Sequence, residues 1–205
     1  MPLSFPGDRM ALAEDYAELL ATDGVERGLI GPRETPRLWE RHLWNCAVVA
    51  DVIPRAARVC DIGSGAGLPG IVLAIARPDI QVTLLEPLLR RSTFLEEATA
   101  TLGLDNVRTV RVRAEDWHGR ATYDVVTARA VAPLDRLLAW AMPLVAADGV
   151  LLAMKGASAT EEIAAAQPTL TRLRCSPPEV LELGSGGLSP TRVVRVAHAD
   201  PARVG

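Results

Sequence analysis

The segment CDIGSGAGLPG, residues 60 to 70, follows an apolar run and places four glycines within eight residues. Glycine reaches left-handed backbone conformations and lets another group approach the main chain closely. Between a strand and a helix, such a turn is built to receive a ligand. The rest of the chain fits that setting. ARVCDI, IQVTLLE, VRTVRVR, YDVVTARA and GVLLAMKG predict strands. LPGIVLAIA, LLRRSTFLEEATATLG, PLDRLLAWAMPLV and SATEEIAAAQPTL predict the helices between them, the last broken at Pro168. PEVLEL and TRVVRVAH, joined by GSGGLSP, predict an antiparallel edge hairpin. Alternating strands and helices mean a parallel sheet covered on both faces, so the fold class is α/β, with about seven strands.

Ahead of this pattern lies an N-terminal helical segment, residues 1 to 54, expected to form one structural unit with the sheet domain, 55 to 205. Its first helix is expected over residues 8 to 24, capped by Asp8 and stopped by Gly24. A second is expected over 35 to 53, with Thr35 as cap and Pro36 at the first helical position.

The glycine turn matches two chemistries. Gly65-x-Gly67-x-x-Gly70, with Glu86 21 residues after Gly65, satisfies the dinucleotide fingerprint. Three details point elsewhere. Asp61 stands two residues before Gly63, where a carboxylate would oppose a pyrophosphate but suit a cationic amino acid. Pro69 removes a backbone donor that a phosphate cradle would use. A further acid pair, Glu115 and Asp116, follows the third strand.

S-adenosylmethionine fits this layout. Its amino-acid end would lie over Asp61, Gly63, Ser64, Gly65 and Gly67. Its ribose diol would meet Glu86, and its adenine Ala114 and Glu115. The seven-strand count and order match the seven-strand class of methyltransferases as well as any doubly wound sheet. The alternatives are a nucleotide-dependent oxidoreductase, a methyltransferase acting on a small molecule or protein, and a binding module without catalysis.

Charge and cysteine content narrow the partners. The formal net charge is −3, so a nonspecific nucleic-acid coat is disfavoured while a local basic patch is not. Cys46, Cys60 and Cys175 form no CxxC pair, so neither a disulfide framework nor a metal site is expected. MPLSFPGDRM does not read as a signal peptide, and no apolar run reaches about 18 residues, so the expectation is a cytoplasmic chain without membrane association.

DIGSGAGLPGIVLA, closing on Leu68-Pro69-Gly70, resembles the small-subunit ribosomal RNA guanine-N7 methyltransferases, the RsmG or GidB family. RHLWNC at 41 to 46 is similar to that family's Arg-His segment, and LLRRSTFLEE to its arginine-bearing helix. ARA at 128 to 130 and MKG at 154 to 156 are similar to its Ser-Arg-Ala and Leu-Lys-Gly. The resemblance covers roughly residues 35 to 160. Asn45-Cys46 stands where Asp-Ser is expected, and Ala128 where Ser is usual.

The resemblance implies methyl transfer from S-adenosylmethionine to N7 of one guanine in 16S ribosomal RNA, presented free or in the small subunit. It implies cofactor contacts from Gly63, Leu68, Ala114, Glu115 and Arg129. Guanine N7 carries no proton, so no general base and no catalytic residue in that sense is expected, only orientation by Arg129 and His42. RNA contacts are expected from Arg37, Arg41, His42, Arg90, Arg91 and Lys155, the only lysine of the chain. Nothing in the sequence speaks to oligomeric state.

Overall fold

The computed structural model describes residues 5, 7, 9–184 and 190–203. The Asp8 cap and most of the GSGGLSP loop fall outside them. Seven strands form one sheet in the order β3-β2-β1-β4-β5-β7-β6. They are β1 (Arg58–Ile62), β2 (Gln81–Leu85), β3 (Val107–Val110), β4 (Tyr123–Arg129), β5 (Val145–Lys155), β6 (Glu179–Leu183) and β7 (Thr191–Ala197). The first five pair in parallel, and β7 enters antiparallel between β5 and β6. The expected α/β class and terminal antiparallel pair are both present.

The central strands are covered on both faces, and their side chains alternate between two apolar cores. Val59 and Leu84 point into one core with Tyr16, Leu43, Val49 and Ile71. Cys60, Ile62 and Leu85 point into the other with Val126, Leu137 and Ala166. The N-terminal residues therefore share a core with β1 and α4 (Gly70–Ala76).

Several boundaries differ from the sequence expectation. Helix α1 (Arg9–Ala21) does not stop at Gly24, which is buried inside a short α2 (Asp23–Glu26). The stretch from 35 to 52 changes pitch along its length. It runs from a 3-10 turn (Thr35–Arg37) through a π stretch (Trp39–Trp44) and α3 (Asn45–Ala47) to a second 3-10 turn (Val48–Val52). Glu34, not Thr35, occupies the cap position, and no side chain caps it. The π stretch carries Arg41 and His42 toward the sheet edge; such widened turns recur at functional sites.

Downstream, α5 (Leu89–Thr101) follows its expected position, whereas α6 (Leu134–Ala141), expected to run to Val145, gives way to a 3-10 turn (Met142–Leu144) and to β5, which starts at Val145 instead of Gly149. Helix α7 (Ala159–Arg172) passes through Pro168 unbroken. Pro168 is exposed, and buried Ala166 and Leu170 on either side hold the helix against the core. Packing outweighs one missing hydrogen bond and the ring's clash with the preceding turn. Replacing Pro168 by alanine is expected to raise the melting temperature by about 2–5 °C, because it restores that bond at some cost in unfolded-chain entropy. A lower melting temperature would refute this account.

Candidate cofactor and acceptor site

β1 ends at Ile62, and the chain turns back through Gly63, Gly65 and Gly67 at φ +63°, +58° and +91°. Gly63 N–H donates to the Leu85 carbonyl at 2.8 Å, which seats the turn on the end of β2. Three buried side chains then brace it. Asp61 Oδ2 accepts the Gly70 N–H at 3.0 Å. Glu86 accepts Gly65 N–H on Oε2 and Leu88 N–H on Oε1, each at 3.0 Å. Tyr16 donates its hydroxyl to the Ala66 carbonyl at 2.5 Å across 50 residues of sequence.

Space under the turn is fully used. A Cβ built on Gly70 would lie 2.3 Å from Leu84 Cδ2 and 2.7 Å from Asp61 Oδ2. One on Gly67 would meet Ile71 Cδ1 at 2.5 Å and the Tyr16 hydroxyl at 2.8 Å. Tyr16 was legible in the sequence only as a helical core residue. Its hydroxyl was the available signal, since a buried phenol normally finds a partner.

Asp61 and Glu86 are thus not solvated strand-end carboxylates. They are 0% and 1% exposed. Burial pushes the Asp61 carboxyl up to about 7, against the opposing pull of the Gly70 N–H. Its second oxygen, Oδ1, is buried without a hydrogen-bond partner. An orphaned carboxylate oxygen beside a glycine turn fits a ligand bearing an ammonium group. Ser64 is buried too and donates to the Asp61 main-chain carbonyl at 2.9 Å. Leu68 and Ala114 are buried, while Glu115 opens an exposed 3-10 turn beyond β3. β3 ends at Val110, earlier than expected, which leaves Arg111 and Arg113 in the connection to that turn.

Next to the turn, a cavity of about 770 Å³ opens at the ends of β4 and β5. It gathers Arg41, His42, Arg129 and Lys155 with two carboxylates, Glu34 and Glu162. Arg129 closes β4; Ala128 before it pairs with Ile62, the residue before Gly63. Arg129 Nη1 contacts Cys46 Sγ at 3.2 Å, and Nη2 meets His42 Nδ1. Cys46 therefore takes the contact open to a hydroxyl at that position. Asn45 beside it accepts the Thr191 hydroxyl at 3.1 Å. Among the described residues no carboxylate comes within 4.0 Å of the Arg129 guanidinium.

The remaining basic candidates divide. Arg37 and Arg90 are exposed and lie outside this cavity, as does Arg91, which faces Glu86 at 3.9 Å. Trp39 and Trp44 pack on each other at 5.3 Å instead of standing free for a base.

Lys155 differs from the phosphate contact expected of it. Its ammonium is 2.7 Å from both the Ala132 carbonyl and Glu162 Oε2, and its side chain is only 9% exposed. Glu162 also accepts the Leu134 N–H at 2.9 Å. Burial alone would raise the Glu162 pKa, but Lys155 and its other donors bring it below its ordinary value. Together the pair straps the loop from Ala130 to Pro133 onto α7, and Val131 of that loop lies over Gly63. Lys155→Ala is expected to lower stability by roughly 1–3 kcal/mol by orphaning these groups. It should leave unchanged the salt dependence of binding to the RNA that the resemblance implies. A slope lower by about 0.9 would instead mark a lost phosphate contact.

Comparison with known proteins places this arrangement. The ribosomal protein L11 methylase of Lactobacillus delbrueckii subsp. bulgaricus superposes with a TM-score of 0.57 at 14% identity, over 77% of this chain and 79% of that one. The M. jannaschii TYW2 structure in complex with AdoMet gives 0.57 at 17%, over 76% and 74%. These likenesses establish the Rossmann-like methyltransferase fold. In sequence, the ribosomal RNA small subunit methyltransferase G of Nocardioides sp. is 65% identical over 201 residues, 98% of this chain and 80% of that protein. The protein of the same name from Thermobifida fusca is 58% identical over 200 residues, 97% and 84%. A family model described as GidB, rRNA small subunit methyltransferase G, matches residues 9–189. The match sets aside the oxidoreductase that the glycine spacing alone left open, and on its extent this chain belongs to the GidB family of small-subunit ribosomal RNA methyltransferases.

Proposed function

We propose that the protein transfers the methyl group of S-adenosylmethionine to N7 of a guanine in 16S ribosomal RNA. Beyond family membership, one observation carries this reading. A glycine turn backed by an orphaned buried carboxylate adjoins a cavity in which, among the described residues, the Arg129 guanidinium has no carboxylate within 4.0 Å. Such a site suits a zwitterionic amino acid, its ammonium at the carboxylate and its carboxylate at the guanidinium.

The residues present suit the cofactor. Asp61 Oδ1 would take its ammonium and Arg129 its carboxylate. Gly63, Ser64, Gly65, Gly67 and Leu68 would line the backbone wall, with Glu86, Ala114 and Glu115 on the nucleoside side. When bound, the sulfonium supplies an already activated methyl group. The chain's task is then to hold the acceptor in line with it, since N7 presents a lone pair and no proton. Orientation of this kind lowers a barrier by as much as roughly 7–11 kcal/mol. Arg41 and His42 line the acceptor side of the same cavity. Among the described residues no helix is long and apolar enough to cross a membrane.

Transfer of a tritiated methyl group onto undermethylated small ribosomal subunits tests the proposal. The label is expected in the RNA, and digestion to nucleosides is expected to release it as 7-methylguanosine. Label confined to protein, or appearing in another nucleoside, would overturn it.

A further inference from the structure

The guanidinium of Arg129 is aimed by residues that sequence reading cannot connect. It lies one residue past the Ala128–Ile62 pair, at the edge that carries the glycine turn. His42, 87 residues earlier, meets Arg129 Nη2 through Nδ1. The other ring nitrogen, Nε2, lies 3.1 Å from Glu34 Oε2. One tautomer satisfies both contacts: the proton sits on Nε2 and is donated to Glu34, while bare Nδ1 accepts from the guanidinium. Glu34 is itself held by Arg41 Nη1 at 3.2 Å.

We infer that Glu34, His42 and Arg129 form a positioning chain, in which neutral His42 fixes the guanidinium so that it meets the carboxylate of the bound cofactor. The inference rests on the proposed assignment of Arg129 to that carboxylate. An arginine fork gains most when its plane is set before the anion arrives. Nδ1 sets that plane only while it holds a lone pair. A protonated ring would lose the acceptor and place a second cation against the first.

The surroundings favour the neutral ring. Burial, and then the charge of Arg129, lower the His42 pKa, with Glu34 opposing and Arg41 adding to the lowering. Cys46 offers Arg129 only a thiol, which burial keeps protonated. Among the side chains of the described residues that hydrogen-bond the guanidinium, His42 is therefore the one that an ordinary pH change can break; Asp61, coupled to Arg129 by charge alone, titrates in the same range.

Calorimetry on the full chain with two ligands tests this from about pH 5.5 to 8. S-adenosylhomocysteine carries the amino-acid carboxylate, and 5′-methylthioadenosine lacks it. Arg129→Ala is expected to weaken the homocysteine compound about a hundredfold, and His42→Ala about tenfold. Both should leave methylthioadenosine within about twofold. His42→Asn keeps an acceptor near the Nδ1 position but does not titrate. It should recover affinity to within about threefold and lack the part of the acid-side weakening that His42 causes in the wild type. If Arg129→Ala leaves the homocysteine compound bound as before, the carboxylate assignment falls. If Arg129→Ala weakens it and His42→Ala does not, the assignment stands and the positioning chain falls. The chain falls equally if His42→Ala weakens both ligands alike, since that is the mark of a merely structural residue.

Discussion

Gly70→Ala is expected to melt about 10 °C below the wild type and to lose detectable S-adenosylhomocysteine binding. The added methyl would be 2.3 Å from Leu84 Cδ2 and 2.7 Å from Asp61 Oδ2. Neither neighbour has room to retreat, since both are fully buried. Overpacking a closed core costs about 1–3 kcal/mol and occasionally more. Losing the Gly70 N–H bond to Asp61 adds about 1–2 kcal/mol, because it orphans the second carboxylate oxygen as well as the first. At about 2–4 °C per kcal/mol for a chain of this size, the sum approaches 10 °C. Gly103→Ala is the control. Unlike Gly70, which opens α4, Gly103 has positive φ, +60°, and nothing lies within 4 Å of its added methyl. That variant should show only the strain of a left-handed alanine, about 1 kcal/mol, and bind ligand normally. Thermal melts of the two variants decide the matter. A Gly70 variant that lost no more than the Gly103 variant would mean that the closed space behind Gly70 is not what makes glycine necessary there.

The glycines of this turn were legible because their spacing is local. So were the strands, since a strand buried on both faces reads as a short continuous apolar run. What the sequence hid depends on contacts across the fold. Asp61 and Glu86 could be placed at strand ends, but not beneath the turn, because burial of a carboxylate is decided by what packs over it. Tyr16 reaches Ala66 and His42 reaches Arg129 over separations that no periodicity encodes. Lys155 looked free for a phosphate because Glu162 lies on a different element. Pro168 looked like a break because its local cost is visible and the packing that outweighs it is not. The pitch changes between 35 and 52 left no mark on an apolar spacing that a uniform helix fits as well.

Asp61 links stability to ligand binding, and Asp61→Asn is expected to move the two in opposite directions. The folded protein raises this carboxyl from 3.8 to about 7, first of all by burial. Between those values the folded chain holds a proton that the unfolded chain has released. Stability from this group is therefore full below about pH 4, falls as pH rises toward 7, and is level above. The whole difference is on the order of 4 kcal/mol, of which about 3 kcal/mol lies between pH 5 and 8. An asparagine keeps an acceptor for the Gly70 N–H and does not ionise. Its melting temperature should therefore lack the fall that the wild type shows between those pH values. At pH 8 the ionised aspartate's penalty is comparable to or larger than the roughly 1–3 kcal/mol cost of the buried amide, so the variant should be at least as stable as the wild type. Binding should run the other way. An ammonium placed on Oδ1 compensates the buried charge in the wild type and finds none in the variant. S-adenosylhomocysteine should therefore bind the variant at least about tenfold more weakly at pH 8, with 5′-methylthioadenosine unaffected. Parallel melts and titrations at the two pH values would refute the account if the variant kept the wild-type pH slope. An unaltered affinity for the homocysteine compound would remove the ammonium from Asp61 and leave the carboxylate as a brace for the turn alone.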